Sequence, residues 1–387
     1  QAMELTKEMV KLKPTTVELM DKNLIDLAKQ IPIYAGGIKK YVAGEPEAVL
    51  MVEFIDEDLD LVRSKIKDLE SLVKNQNQNN HFRNYENLED QKEVFEIRKA
   101  GLNILMSLKG DKKPVAFIED CAVTLDHLAD YTSRLKEVFA KYNTNGMFYA
   151  HASVGTLHVR PVLNMKSDQD IKNMKAIAEE AFDMVKEYRG SHSGEHGDGI
   201  VRSEFHEKMF GKKILNSFEE IKDTFDKKNL LNPHKIVRAY KSDDRSLMRY
   251  KADYKAENIS THYDWSEWGQ FSDAVEMCNN NGACRKLDSG VMCPSYRVTK
   301  EEKDLVRGRA NTLRLALSNQ LPKDSFVSKE MYKTMELCVS CKACQRECPM
   351  SVDMAKMKSE FLSHYYKKFS MGLKDTVISN MPKLIWL

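Results

Sequence analysis

The 387-residue sequence predicts two folded units: an α+β domain built on an antiparallel sheet with helices on one face, then an all-α domain that carries closely spaced cysteines. Three observations lead there. Strand-like and helix-like periods alternate up to about residue 188, with one tight pair of strands among them. From residue 265 onward the pattern is helical. Seven of the eight cysteines lie between residues 278 and 348. The expected boundaries are a first domain over 1–237, a polar and charged linker over 238–264, and a helical domain over 265–387.

The elements follow in order. Val17, Met20, Leu24 and Leu27 are spaced as on a helix, which predicts a helix over 14–30. "EAVLMVEFI" (47–55) reads as a strand, followed by an amphipathic helix to about residue 74. The polar "NQNQNN" (75–80) reads as a mobile loop tip. A helix is expected over 88–107, a strand over 114–123 and a helix over 125–141. "GMFYAHAS" and "TLHVRPVL" are two short strands separated by a few residues, a hairpin pattern. A long helix follows over about 167–188, and "FDKKNLLNPHKIV" (225–237) closes the domain, with Pro233 expected to stop its helix.

Composition sets limits. The chain is 42% hydrophobic and 30% charged, with a formal charge of +2, so a global phosphate-binding face is not indicated and nucleic acid is not an expected partner. No run of eighteen apolar residues occurs, so no transmembrane segment is expected. The start, "QAMELTKEMV", is not a targeting sequence, and an opening Gln1 together with the apolar end "MPKLIWL" leads to the expectation of further sequence on both sides. A long chain with clustered cysteines and no signal peptide reads as reduced, metal-ligating and cytoplasmic.

The cysteines fall into two unequal motifs. The later is Cys338-x2-Cys341-x2-Cys344-x3-Cys348-Pro349. Three thiolates at three-residue steps suit three corners of an iron–sulfur cubane, and a fourth Cys before Pro reaches the other cluster in two-cluster ferredoxins. The rival is structural zinc, whose motifs come as two separated Cys pairs. The earlier motif is Cys278-x5-Cys284-x8-Cys293-Pro294, with Asn281 where a middle cysteine is expected. By the crossover rule Cys338, Cys341, Cys344 and Cys293 hold one [4Fe–4S] cluster. Cys278, Cys284 and Cys348 then form a three-cysteine site: a [3Fe–4S] cluster, a [4Fe–4S] cluster with a non-cysteine ligand, or a degraded site. The second domain is thus expected to be an all-α ferredoxin-like iron–sulfur domain. Cys121, alone in "FIEDCAV", reads as core packing.

A different chemistry is suggested earlier in the chain. His151 and His158 lie seven residues apart across a Gly-containing turn, and "SGEHGDG" (193–199) offers Glu195 and His196 between glycines. Two His and one Glu suit a divalent metal with open positions, with a neighbouring group as base. Ten histidines in the chain also make chance pairs, and at this point the metal and the purely structural readings stand side by side.

"VELMD", "IRKAG…KKPVAFIED", "HASVGTLHVRP", "SGEHGDGIVRSEF" and "FDKKNLLNPHKIV" together resemble the C-terminal cap half of FAD-linked D-2-hydroxy acid dehydrogenases, the family of D-lactate and D-2-hydroxyglutarate dehydrogenases and the glycolate oxidase flavin subunit. "GVMCPSYRVT" and "RGRANTLR" resemble the iron–sulfur extension of one large bacterial branch. The resemblance covers about residues 14–370. It implies a divalent metal (Zn²⁺ or Mn²⁺) on His151, His158 and Glu195, with His196 as the base. Arg98 and Lys113 stand where the family contacts the substrate carboxylate, with Lys112 adjacent, and Arg160 stands where the metal-dependent hydroxyglutarate enzymes place an Asn. Ser153, Val154 and Thr156 depart from the commoner H-x-G-D-G-N-L-H.

The resemblance also implies FAD, held mainly by an N-terminal domain of the same polypeptide outside this chain, in keeping with the lack of a Gly-rich strand-to-helix loop here. The expected function is therefore part of a flavin-dependent dehydrogenase that oxidises a D-2-hydroxy acid, of the 2-hydroxyglutarate or lactate type. Electrons would leave through iron–sulfur clusters to a quinone or a redox protein. The expected location is the cytoplasm, or the periphery of a membrane. The rival is a non-catalytic electron-transfer subunit whose cap-like domain docks a partner.

Overall fold

A computed structural model describes residues 1–77 and 80–385, with the side chains of 384–385 left aside. It divides into two units, Gln1–Asp253 and Tyr254–Leu387, and the division falls inside the segment 238–264. In the first unit helix α1 (Ala2–Val10) precedes strand β1 (Thr16–Asp21), and α2 (Lys22–Gln30) and α3 (Pro32–Tyr41) follow. Strand β2 (Ala48–Glu53) leads to α4 (Leu59–Gln76), α5 (Leu88–Lys99) and α6 (Gly101–Met106). Two short strands, β3 (Lys112–Pro114) and β4 (Cys121–Ala122), come before α7 (Leu125–Lys141). The hairpin β5 (Gly146–His151) and β6 (Thr156–Asn164) is followed by α8 (Asp168–Glu187), α9 (Gly199–Ser203), α10 (His206–Phe210) and α11 (Lys212–Phe225).

The sheet runs β2-β1-β5-β6-β3, with β4 also on β6, and every pairing is antiparallel. Alternation along the strands sends side chains to two faces. Val17, Leu19, Phe148, Ala150, Leu157 and Val159 join one core with residues of α1, α4, α7 and α8. Met20, Met147, Tyr149 and Val162 join a second core with residues of α2, α3, α5 and α6. The antiparallel α+β architecture is as expected. One detail differs, because helices cover both faces and not one. The second face is apolar only in part, and its polar remainder (Glu18, His151, His158, Arg160) forms the site described below.

Local expectations are corrected in four places. Residues 16–21 form a strand and not the start of a helix. Val17 and Met20 fit a helical spacing by coincidence, while "TVELMD" alternates between the two faces, and Asp21 caps α2 by accepting from Leu24 N at 2.9 Å. The helix expected over 88–107 is two helices meeting at Ala100. The strand expected over 114–123 is β3 and β4 with an irregular stretch between, where Asp120 takes a left-handed backbone (φ 77°). Helix α11 ends at Phe225, well before Pro233, because Asp226 turns the chain by accepting from Leu230 N and Leu231 N. The run at 75–80 is helical as far as Gln76, and its residues 78–79 lie outside the described residues, as do Trp386 and Leu387 of the apolar end.

The β5–β6 turn sets the positions of His151 and His158. Gly155 there has φ +71°, and a Cβ on it would lie 1.9 Å from Val123 O. Gly155→Ala is expected to destabilise this unit by at least about 2 kcal/mol, from the left-handed backbone and the clash together, read as a lowered thermal midpoint. An unchanged midpoint would show that the turn relaxes freely.

The second unit contains helices α12 (Phe271–Glu276), α13 (Pro294–Thr299), α14 (Val306–Leu317), α15 (Lys329–Glu336), α16 (Ala343–Glu347), α17 (Met354–Lys368) and α18 (Leu373–Ile385), and no strand among the described residues. Phe271, Phe326 and Phe361 stack edge-on through its centre. Its cysteines sit in the gaps between these helices, except Cys344, which lies in α16. No helix among the described residues is long and apolar enough to cross a membrane.

Candidate functional site

Sheet register assembles the first site. Glu18 of β1 lies directly opposite His151 of β5, and Tyr149 of β5 opposite His158 of β6. Cross-strand partners on one face touch, and these do. Glu18 Oε1 lies 2.7 Å from His151 Nδ1, and the Tyr149 ring stacks on His158 with centroids 4.8 Å apart. The other oxygen of Glu18 accepts from Arg98 Nη2 at 2.6 Å, in a buried pair. The Arg98 guanidinium lies over the Tyr149 ring.

The remaining residues arrive on the irregular stretch before β4 and on the loop after α8. Asp120 is fully buried, and its carboxylate accepts from Glu195 N (3.0 Å), His196 N (2.8 Å) and Ser193 Oγ (3.2 Å). These bonds fold the 193–196 loop onto the sheet. Glu195 Oε1 then lies 3.2 Å from His151 Nε2, 3.3 Å from His158 Nε2 and 3.3 Å from His196 Nε2. The His158 and His196 rings stack at 5.1 Å. Glu119 Oε1 stands 3.5 Å from His158 Nδ1 and 3.5 Å from His196 Nδ1, and its other oxygen pairs with Arg160.

The charges are mutually adjusted. Burial would raise the Glu119 carboxyl, but the bond to His158 and the Arg160 charge outweigh it and hold the group below the usual carboxylate range. The Glu18 bond raises the His151 imidazole above its ordinary value, against the effect of burial.

These residues fit a divalent metal. Donor atoms about 2.1 Å from an ion lie roughly 3.0–3.4 Å apart around it, and the Nε2-to-Oε1 distances here are 3.2–3.3 Å. The Glu18 carboxylate behind His151 Nδ1 fixes the tautomer that leaves Nε2 of that ring free to ligate, while Glu119 stands 3.5 Å from His158 Nδ1 as a nearby negative charge. His158, Glu195 and His196 also share a 4.8 Å cluster with Asp120. The Asp120 carboxylate is committed to the loop's N–H and O–H groups, so we take it as a support and not a ligand.

The structure thus brings together His151, His158, Glu195, His196, Arg98 and Arg160. Lys113 is on β3, opposite Leu163 of β6, about five strand residues or 17 Å from the His158 position, and its ammonium donates to Leu108 O. Sequence reasoning missed Glu18, Glu119, Asp120 and Tyr149 as site residues. The available signal was a carboxylate inside an apolar strand run, in "TVELM" and "AFIEDCAV".

In the second unit Cys293, Cys338, Cys341 and Cys344 line one small cavity, with Val306, Arg309 and Met354. Val306 N donates to Cys293 Sγ at 3.2 Å. Burial pushes the Cys293 thiol up to about 12 and Cys344 to about 11. Cys348 is raised to about 11, by burial first and then by the neighbouring Cys278 and Cys284. Cys293, Cys344 and Cys348 thus stay protonated until a metal displaces the proton, and the four cysteines that line the cavity are a suitable donor set for a cubane. Asn281, at the missing-cysteine position, uses its side chain to hold the turn, bonding Asn279 Oδ1 and accepting from Ala283 N.

The pyrophosphate of FAD finds no cradle at four helix starts of the first unit. The junctions into α2, α4, α7 and α8 carry Asp21, Asp58, Thr124 and Ser167 with no glycine-rich turn, and a carboxylate at a helix start repels phosphate.

Comparison with known proteins agrees with this division. The model of the FAD linked oxidases, C-terminal domain, matches residues 1–236, and that of a 4Fe-4S dicluster domain matches residues 274–352. The chain is 28% identical to a D-2-hydroxyglutarate dehydrogenase of Haemophilus influenzae over 96% of its own length and 40% of that protein. It is 26% identical to the Escherichia coli D-2-hydroxyglutarate dehydrogenase over the same shares. Glycolate oxidase subunit GlcD of Bacillus subtilis matches at 24% over 58% of this chain and 46% of that protein. The chain spans about two fifths of the length of the hydroxyglutarate dehydrogenases it matches.

Proposed function

Because residues 1–236 make the chain a member of the FAD-linked oxidases, matching that family's C-terminal domain, we propose that it forms the substrate cap and electron-exit part of a flavin-dependent dehydrogenase. That enzyme would oxidise a D-2-hydroxy acid to the 2-oxo acid. The observation that carries this reading is the convergence of three imidazole Nε2 atoms on Glu195 Oε1, on the same polypeptide as two groups of cysteines. The substrate class we favour is the 2-hydroxyglutarate type over the lactate type. The likeness to hydroxyglutarate dehydrogenases runs through both units, while that to GlcD and to a D-lactate dehydrogenase of Archaeoglobus fulgidus stops at 58% and 59% of the chain.

In this reading His151, His158 and Glu195 hold Zn²⁺ or Mn²⁺, which supplies Lewis-acid polarisation of the substrate hydroxyl. His196 takes the hydroxyl proton at whichever ring nitrogen faces substrate. Arg98 and Arg160 offer guanidinium N–H groups to the carboxylate from the same sheet face, and Glu18 and Glu119 keep those side chains in place. Lys113, about 17 Å along the sheet from the His158 position and bonded to Leu108 O, stands outside this clamp. FAD, on a domain outside these residues, supplies the hydride acceptor when bound. Cys293, Cys338, Cys341 and Cys344 would hold one [4Fe–4S] cluster, and Cys278, Cys284 and Cys348 a second, three-cysteine site. A quinone or redox protein would be the final acceptor, and we place the protein in the reducing cytoplasm or at a membrane periphery.

The test is turnover of a panel of D-2-hydroxy acids by the full-length protein with an artificial acceptor. We expect D-2-hydroxyglutarate to give the highest kcat/KM, loss of turnover on chelation and recovery with Zn²⁺ or Mn²⁺. Iron-loaded protein that turns over no hydroxy acid would instead make it an electron-transfer subunit. Glu18→Gln is expected to weaken metal binding by about 10–100-fold, since it removes the carboxylate behind His151. Metal titration measures this directly, and unchanged affinity would remove Glu18 from the site.

A further inference from the structure

Behind the loop that carries Glu195 and His196 lies a second group of two imidazoles and a carboxylate. His192 and His206 are each 1% exposed. Asp198 lies between them, with Oδ1 at 3.3 Å from His192 Nε2 and Oδ2 at 3.2 Å from His206 Nε2. One donor atom from each of the three lies within 4.8 Å of the others. The rings of Phe182, Phe210 and Phe218 pack against the two imidazoles.

The hydrogen-bond accounting here does not close. Both nitrogens of His192, His206 Nε2 and Asp198 Oδ1 have no hydrogen-bond partner. His206 Nδ1 lies 2.8 Å from Ile236 O. A carbonyl oxygen only accepts, so Nδ1 carries the proton, and neutral His206 presents a lone pair at Nε2. That lone pair faces a carboxylate oxygen inside an aromatic wall. Two acceptors so placed repel unless positive charge lies between them. A proton on His206 Nε2 would relieve that contact but would leave His192 unserved. Burial lowers the His192 imidazole to about 4, so it stays neutral and able to donate a lone pair.

We propose that His192, Asp198 and His206 bind a divalent cation, Zn²⁺ being the best match to two imidazoles and one carboxylate, at a site separate from His151, His158 and Glu195. The placement gives the ion a structural role. Ser191, next to His192, is bridged to Ala122 of β4, Asp198 precedes α9, and His206 opens α10. An ion on these three residues ties both ends of the 193–198 loop and so fixes the presentation of Glu195 and His196 without touching substrate.

The experiment uses the full chain with its clusters reconstituted anaerobically, so that cysteine thiols are occupied. His151→Ala/His158→Ala removes the first site. That protein, dialysed against Zn²⁺ alone, is expected to keep about one zinc per chain, with a zinc absorption-edge spectrum showing nitrogen and oxygen neighbours and no sulfur. Adding His206→Asn, which retains a donor for Ile236 O while deleting the Nε2 position, should abolish that zinc and the rise in thermal midpoint that zinc produces. If that variant does not fold, the near-isosteric Asp198→Asn in the same background reads the same quantity. No zinc in the His151→Ala/His158→Ala protein would overturn the proposal and leave His206 as an imidazolium paired with Asp198. Zinc that survives either added substitution would overturn it as well.

Discussion

Replacing His196 by Asn in the full-length enzyme is expected to lower kcat by at least about a hundredfold, the usual scale for losing a general base. KM, flavin, iron and thermal midpoint should stay close to those of the parent protein. The expectation rests on where the side chain sits. Its ring is 44% exposed and stacks on His158, with Nε2 3.3 Å from Glu195 Oε1 and Nδ1 3.5 Å from Glu119 Oε1. The bond that anchors this position to Asp120 is made by the backbone N–H, which any residue supplies. An exposed side chain whose backbone carries the structural bond contributes little to stability, within about half a kcal/mol. A large loss of rate with an unchanged thermal midpoint therefore reports chemistry. A near-normal kcat would remove His196 as the base, and a collapsed fold would show that its stacking on His158 matters more than the geometry suggests.

Replacing Cys293 by Ser is expected to remove the iron bound by Cys338, Cys341 and Cys344, roughly four irons per chain, although Cys293 lies 45 residues before the first of them in sequence. All four thiols line one cavity. Cys348→Ser should leave that iron in place and disturb only the site of Cys278 and Cys284, whose thiols act on it. Iron analysis and the cluster absorption of anaerobically reconstituted protein read both variants. If Cys293→Ser retained full iron while Cys348→Ser lost the cluster of Cys338, Cys341 and Cys344, the crossover would be wrong and each motif would serve itself. Stoichiometric zinc without iron would return the domain to a structural zinc scaffold.

Local pattern made much of this legible. The hairpin showed in two alternating runs around Gly155, and the long helix α8 in its apolar period, because both depend on residues a few positions apart. The cysteine grouping was legible for the same reason, since three-residue steps place thiols around one point. His151, His158, Glu195 and His196 could be singled out from short motifs, and they do meet.

What the sequence could not decide depends on register between distant segments. Glu18 reads as an acidic residue in a misassigned helix until β1 pairs with β5 and sets it opposite His151, 133 residues away. Asp120 reads as the tail of a strand until its left-handed backbone turns the carboxylate toward the N–H groups of residues 195 and 196. The buried group of His192, Asp198 and His206 likewise appears only when α9 and α10 fold back beside residue 192. The sequence by itself determined which residue types could do the chemistry. Only the tertiary structure decided which carboxylate stands behind each imidazole, because a strand shifted by one position would turn Glu18 and His151 to opposite faces of the sheet.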